Sequence, residues 1–324
     1  MIKVSLLFIS VLTLFCYMIP SFILRKTKLA NQGFAKTMSV FTLYVGQVAL
    51  ILHGFILEFD ASVFKGVCQV FALAFVSHCL FYLVAGFLFA NAPEKKRRVL
   101  RFGVIFSNAG YMGIPVISDV FGPEYTIYAT VYIVWFNVFA FTLGRLIYTD
   151  DKKYISVKEA IINPAVLPII IGLVIYLTGI GGVIQSALTR TDLVGQATNL
   201  FYNVLTVLKN MVAPASMMVI GARLADIDFK GILKDKYMYP FVLTRLILFP
   251  TLMWVVLRIL YGLGLIDGTV MAVVLILCST PAAAVTTMFA ELYDGDSPYA
   301  GKLVALTTIL SVATMPLVAL LLKI

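Results

Sequence analysis

Charge is scarce in this chain, and acid is scarcest inside its apolar runs. Only 13% of the 324 residues are Asp, Glu, Lys or Arg, against about 25% in soluble domains. Hydrophobic residues make up 61%, too many to hide in one soluble core, so the composition points to a polytopic membrane protein. Cysteine is equally sparse. Cys16, Cys68, Cys79 and Cys278 lie in apolar segments without C-x-x-C spacing, which excludes a disulfide framework or a zinc site and leaves four small, buried side chains. The two histidines, His53 and His78, do not make a metal site, and neither a metal nor a cofactor is expected. There is no P-loop, so ATP-driven transport is not encoded here. There is also no H-E-x-x-H, no cysteine–histidine array and no pair of core carboxylates, which argues against a membrane-embedded enzyme. The net charge of +9 is spread over several short loops instead of one stripe, so it reads as topology and not as a nucleic-acid surface.

What the chain has in quantity is apolar length. About 20 such residues span a bilayer, and ten stretches meet or approach that: roughly 3–24, 37–57, 66–90, 99–121, 126–148, 161–178, 196–222, 238–262, 267–290 and 301–323. The first follows Lys3 and ends at Arg25 and Lys26 without a small-residue cleavage pattern, so it reads as a spanning helix and not a signal peptide. The end of the sixth is ambiguous at Gly179-Ile-Gly-Gly182. With the N-terminus outside, the inner loops carry eighteen Lys and Arg against five outside, namely Lys3, Lys65, Arg190, Arg258 and Lys323. That bias puts both termini on the outer side of the cell membrane, plasma or inner.

An odd number of helices per half inverts the second half against the first. The expected organisation is therefore 1–148 as a first five-helix repeat, 149–160 as a short cytosolic linker, and 161–324 as a second five-helix inverted repeat. Two stretches are interrupted at matching places. Ser107-Asn-Ala-Gly-Tyr-Met-Gly-Ile-Pro115 breaks the fourth and Cys278-Ser-Thr-Pro-Ala-Ala-Ala284 breaks the ninth, and 281 − 115 = 166 residues separate Pro115 from Pro281, close to half of 324. Gly110, Gly113 and Pro115 lower helix propensity and remove a donor within six residues. Broken helices in corresponding positions of two halves point to a secondary transporter whose substrate binds at the breaks, with half-helix N-termini suited to an anion and unwound carbonyls to a cation. A simple proline kink is the competing reading.

Asn108-Ala-Gly-Tyr-Met-Gly-Ile-Pro115 resembles the N-x-x-x-M-G-I-P element of the auxin efflux carrier (PIN-like, membrane transport) family. Pro214 to Ala225, Pro281-Ala-Ala-Ala, Phe289 to Asp296 and Thr314-Met-Pro316-Leu resemble further signatures of that family, so the resemblance covers nearly the whole chain, as a short-loop, bacterial-type member. It implies an all-α carrier of ten transmembrane helices, with helices one, two, six and seven as a scaffold and helices three to five and eight to ten as a transport domain. Helices four and nine cross, the carrier is elevator-like and a homodimer, and the substrate is a small organic anion. The residues carried over are Asn108 and Pro115 at the fourth-helix crossover and Pro281 at the ninth, with Gly110, Gly113, Thr280 and Ala282 beside them. Two departures stand out. The proline often found in the second helix is absent from Leu43-Tyr-Val-Gly-Gln47, and the long cytosolic loop of plant auxin carriers is missing.

No Asp or Glu falls clearly in a bilayer core, and Glu291 sits at the inner end of the ninth stretch. Lys209, in the middle of its stretch, is too central to snorkel fully, since a lysine there costs about 2.5–3.5 kcal/mol on insertion scales. Its expected partners are helix-end carbonyls, loss of its proton, a watery vestibule, or the substrate itself. Arg245, nearer a helix end, reads as a snorkelled interfacial residue. His78 is a candidate for a coupling proton, with a hydrogen-bonded neutral histidine as the alternative. Asn137 is a candidate substrate contact, or, like Asn203, a tie between helices. Trp135 and Trp254 read as packing or lipid-facing bulk. The function expected is a secondary carrier for a small organic carboxylate, embedded in the lipid bilayer and working by alternating access. A channel or a receptor-like homologue without net transport is the alternative.

Overall fold

The computed structural model describes residues 4–150, 166–227 and 234–323, so the expected 149–160 linker and the start of the sixth stretch lie almost wholly outside the described residues. Every named element is helical. The long helices are α1 (Val4–Lys26), α2 (Phe34–Phe55) and α3 (Ala61–Phe87). A broken pair follows, α4 (Glu94–Ile105) and α5 (Ile114–Phe121), with a π-helical turn over Ala109–Gly113 between them. Next come α6 (Pro123–Thr149), the short α7 (Val166–Leu177) and α8 (Ile180–Ala187), then α9 (Leu193–Ala225) and α10 (Met238–Gly262). The second broken pair is α11 (Gly268–Ser279) and α12 (Val285–Leu292), and α13 (Ser297–Leu320) closes the fold.

Seven of these helices are long and apolar enough to cross a membrane, or eight if α7 and α8 count as one bent span. The broken stretches fall short because each is cut in two. Twelve-residue α4 and α11 reach only about 18 Å at 1.5 Å per residue, against a hydrocarbon core of about 30 Å. The molecular surface carries Leu83, Phe87, Leu193 and Leu200 exposed, the outward apolar face that a multi-pass membrane protein presents to lipid.

Aspartates start four of the helices. Asp60, Asp192, Asp267 and Asp296 each accept a hydrogen bond from a first-turn backbone N–H, of Ser62 and Val63, Gly195, Val270 and Tyr299 respectively, satisfying donors that have no helical acceptor. The doubtful end of the sixth stretch is a bend of 79° between α7 and α8, made at Gly179, whose φ of +75° a side chain would disfavour. The fourth stretch starts earlier than its hydropathy suggests. α4 opens directly after Pro93, so Lys95, Lys96, Arg97 and Arg98 are helical and not loop residues.

Packing brings α3 against α6, α10 against α11, and α11 and α12 against α13. On another side, α2 lies against α7 and the first half of α9, while the second half of α9 packs on the end of α1. The beginning of α1 touches α5 and α13. Ion pairs fasten the basic end of the molecule: Arg25 to Asp226, Lys95 to Asp294 and Lys96 to Asp235, at 2.9, 2.6 and 2.6 Å. The expectation of four buried cysteines is corrected at three of them. Cys16 and Cys68 are exposed and Cys79 is partly so; only Cys278 is buried. Hydropathy gave the depth of these residues along a helix but not the side they face.

Candidate functional site

The two breaks meet. Ser107 and Ala282 form an isolated antiparallel bridge, in which Asn108 N–H donates to the Pro281 carbonyl at 2.7 Å and Ala283 N–H donates to the Phe106 carbonyl at 2.9 Å. Pro281 has no donor to offer and its carbonyl is used; the backbone groups released by one broken helix are satisfied by the other, as an apolar interior requires. The contact is close because residue 113 has no side chain: a Cβ there would stand 2.6 Å from Leu277 Cδ2. Beyond the bridge each chain re-enters helix. The Asn108 carbonyl accepts from Met112 and Gly113, and Pro115 sits in the first turn of α5, where a missing N–H costs nothing.

Four half-helix ends therefore converge, and they divide by sign. The N-terminal ends, at Asn108–Tyr111 and Ala283–Val285, border a cavity of about 60 Å³. It is closed on the far sides by Ile133, Phe136 and Asn137 of α6 and by Leu43 and Gln47 of α2. Asn108 is 3% exposed, and its side-chain nitrogen has no partner among the described residues; the same holds for the Ser107 hydroxyl. Asn137 gives its own side-chain N–H to the Ile133 carbonyl at 2.9 Å.

The C-terminal ends, at Ile105 and Ser279, point away from that cavity and onto Arg245. Its guanidinium donates to the carbonyls of Val104 at 2.7 Å, Thr280 at 3.2 Å, Ile105 at 3.5 Å and, most closely, Cys278. The side chain is 0% exposed. The expectation of a snorkelled interfacial arginine is thus overturned: a π-helical turn over Thr244–Leu248 carries residue 245 on the face that looks at the crossing.

Of the residues singled out from sequence, Asn108, Gly110 and Asn137 line the cavity. Gly113, Thr280, Pro281 and Ala282 build the crossing behind it: Thr280 and Pro281 give their carbonyls to Arg245 and Asn108, and Ala282 N–H donates to Thr307 Oγ1 of α13 at 3.2 Å. His78 is apart from the cavity lining, 1% exposed, with Nδ1 2.7 Å from the Ala74 carbonyl and its ring among Tyr132 and Phe139. Lys209 also stands off. Its Nζ lies 3.4 Å from His53 Nδ1, whose ring packs on Tyr202, so the partner is a histidine that the sequence reading left unpaired. Asn203 is exposed, and no side-chain hydrogen bond ties it to another helix among the described residues. Trp254 packs with its indole N–H on the Leu321 carbonyl, 3.0 Å away.

Gln47, like Ser107 and Tyr111, lines the cavity without being among the residues expected from sequence. The stretch Leu43–Gln47, which lacks a proline, overlaps a π-helical turn over Thr42–Gly46 that delivers Gln47, 4% exposed, to within 3.3 Å of where a Cβ on Gly110 would stand. A glutamine beside a glycine in an otherwise apolar run was the available signal. Two larger cavities, of about 200 and 270 Å³, lie among the charged residues near Lys96 and Asp235 and near Arg97 and Arg101, away from the crossing.

No curated protein matches the chain. The family model described as membrane transport protein, the auxin efflux carrier family, matches residues 6–319, and the chain therefore belongs to that family of membrane transporters.

Proposed function

We propose that the chain is a secondary transporter of a small organic anion, a carboxylate, which binds where the two broken helices cross. The observation that carries this reading is the sorting of the half-helix ends: two N-termini and the unpartnered Asn108 amide nitrogen face one cavity. Helix N-termini together act on an anion as free N–H donors and as partial positive charge. Ten spans in a 5+5 inverted repeat follow if α4 with α5, α11 with α12, and α7 with the residues before it each count as one. α2, α7 and α9 pack together with the end of α1 as the scaffold, and the crossing helices move with α3, α6, α10 and α13 as the transport domain. The cavity is far smaller than the roughly 300–1,000 Å³ of small-molecule sites and has room for the acid group alone; separation of the crossing from α2 at Leu43 and Gln47 would enlarge it. The working assembly is a homodimer in the cell membrane, with both termini outside.

The test is a melting-temperature screen of purified protein against dicarboxylates, monocarboxylates and aromatic acids, followed by counterflow of the labelled hit in vesicles. A stabilising acid, counterflow in the wild type and loss of both in folded Asn108→Ala are the expected results. Wild-type binding and uptake in Asn108→Ala would remove the site from the crossing, and flux without counterflow would make the protein a channel.

A further inference from the structure

The C-terminal half-helix ends need a cation. Each helix end carries about half a negative charge, so α4 and α11 together present about one unit to the point between them. In transporters with broken helices such ends and the unwound carbonyls beside them coordinate the coupling sodium or proton. Here the position is filled from within. Arg245 reaches carbonyls on both sides of the crossing, Val104 and Ile105 from α4, Cys278 from α11 and Thr280 just past its end, with Phe81 stacked over it at 5.9 Å from guanidinium carbon to ring centroid. No carboxylate is among these partners. The charge count closes on this one side chain: one guanidinium against two half-charges. Arginine suits the task because five N–H donors in a rigid fork serve several acceptors at once and because it keeps its charge when buried, whereas a lysine has three donors and sheds its proton more readily.

We infer that Arg245 is the resident cation of the crossing, a tethered guanidinium occupying the carbonyl nest that an exchangeable metal cation would otherwise fill, so that anion binding at Asn108 requires no sodium. The inference rests on the proposed reading for the existence of an anion site. Its first half, the nest and its occupant, stands on the geometry around residue 245. A cation covalently attached to α10 cannot dissociate during a transport cycle, so it keeps the crossing neutral whether or not the anion is bound.

The experiment uses full-length protein in detergent, with no organic acid present, and reads melting temperature in sodium, guanidinium at low millimolar concentration, and choline at matched ionic strength. The wild type melts alike in sodium and choline. Arg245→Ala melts lower, and guanidinium or sodium, but not choline, raises it by about 2–4 °C at tenfold excess over its dissociation constant. A sodium-specific rise in the wild type, or an alanine variant that no small cation stabilises, overturns the inference. If the alanine variant does not accumulate, Arg245→Lys against Arg245→Met decides: folded protein from the lysine variant alone supports a need for charge, and equal yields overturn it. Because these measurements contain no acid, their failure is separate from failure of the anion-site reading, which the acid screen tests.

Discussion

Arg245 and Lys209 both place a cation inside an apolar helix without an acid, and the structure holds them in opposite ways. Arg245 is sealed, 0% exposed, with carbonyls from two helices on its guanidinium. Lys209 is only partly buried, and a single neutral-capable ring, His53, stands 3.4 Å from its amine. The difference lies in what each region has to satisfy. The crossing is made of interrupted helices whose carbonyls have lost their own donors, so a cation there is required by the backbone. At the α2–α9 contact the lysine amine meets a side chain, His53, instead of two interrupted helix ends.

That contrast can be broken by substitution. Arg245→Met is expected to cost the most, about 3–5 kcal/mol, because it strands buried carbonyls as removal of one partner from a buried charged network does; a variant unfolding with the wild type in denaturant would erase the distinction between the two regions. Gly113→Ala comes next, at about 1–3 kcal/mol for overpacking a closed interior, since its methyl would meet the buried Leu277. Leu277→Ala in the same chain should restore part of that loss, and a double variant no better than the sum of the singles would put the strain elsewhere. Lys209→Met is expected to stay within about 1 kcal/mol of the wild type, as apolar replacement of an ionic group often does. A loss above twice that would show that the lysine is as structurally committed as the arginine. Acid affinity measured in the same variant reports on its distance from the site: a large drop there would bring Lys209 back to the pathway.

The smallest effect is at the helix starts. The Ser62 hydroxyl and the Ser62 and Val63 amides hold the Asp60 carboxyl below its ordinary value. A carboxyl lowered on folding contributes stability above its unfolded value near 3.8 and loses it as pH falls through the lower folded value. Asp60→Ala should therefore melt slightly below the wild type at neutral pH and converge with it in acid; a gap that persists in acid would mean that the cap acts without its charge.

The breaks were legible because glycine and proline act locally: Gly110, Gly113, Pro115 and Pro281 announce lost helix propensity wherever the chain goes next. That the two interruptions belong together was also legible, from their spacing. Arg245 and Gln47 were not, because hydropathy reports depth along a helix and says nothing of the side a residue faces. In both places a π-helical turn, over Thr244–Leu248 and Thr42–Gly46, shifts the register, and neither segment contains a proline to mark it. The start of α4 was misplaced for a related reason: its basic first turns are too polar to register as membrane helix, yet Glu94 and Lys95 to Arg98 wind normally after Pro93. The His53 partner of Lys209 depended on how α2 and α9 face each other, which no single stretch encodes.

The pairing of Phe106–Asn108 with Pro281–Ala283 also bears on how the protein is made. The first interruption emerges from the ribosome long before its counterpart, and the guanidinium that joins them sits 141 residues beyond Val104. Until α10 and α11 are in the bilayer, the newborn first half carries loose backbone polar groups at a depth where lipid offers them nothing. A chain truncated before α11 is therefore expected to leave the backbone groups of Phe106 and Asn108 without the partners that Ala283 and Pro281 supply.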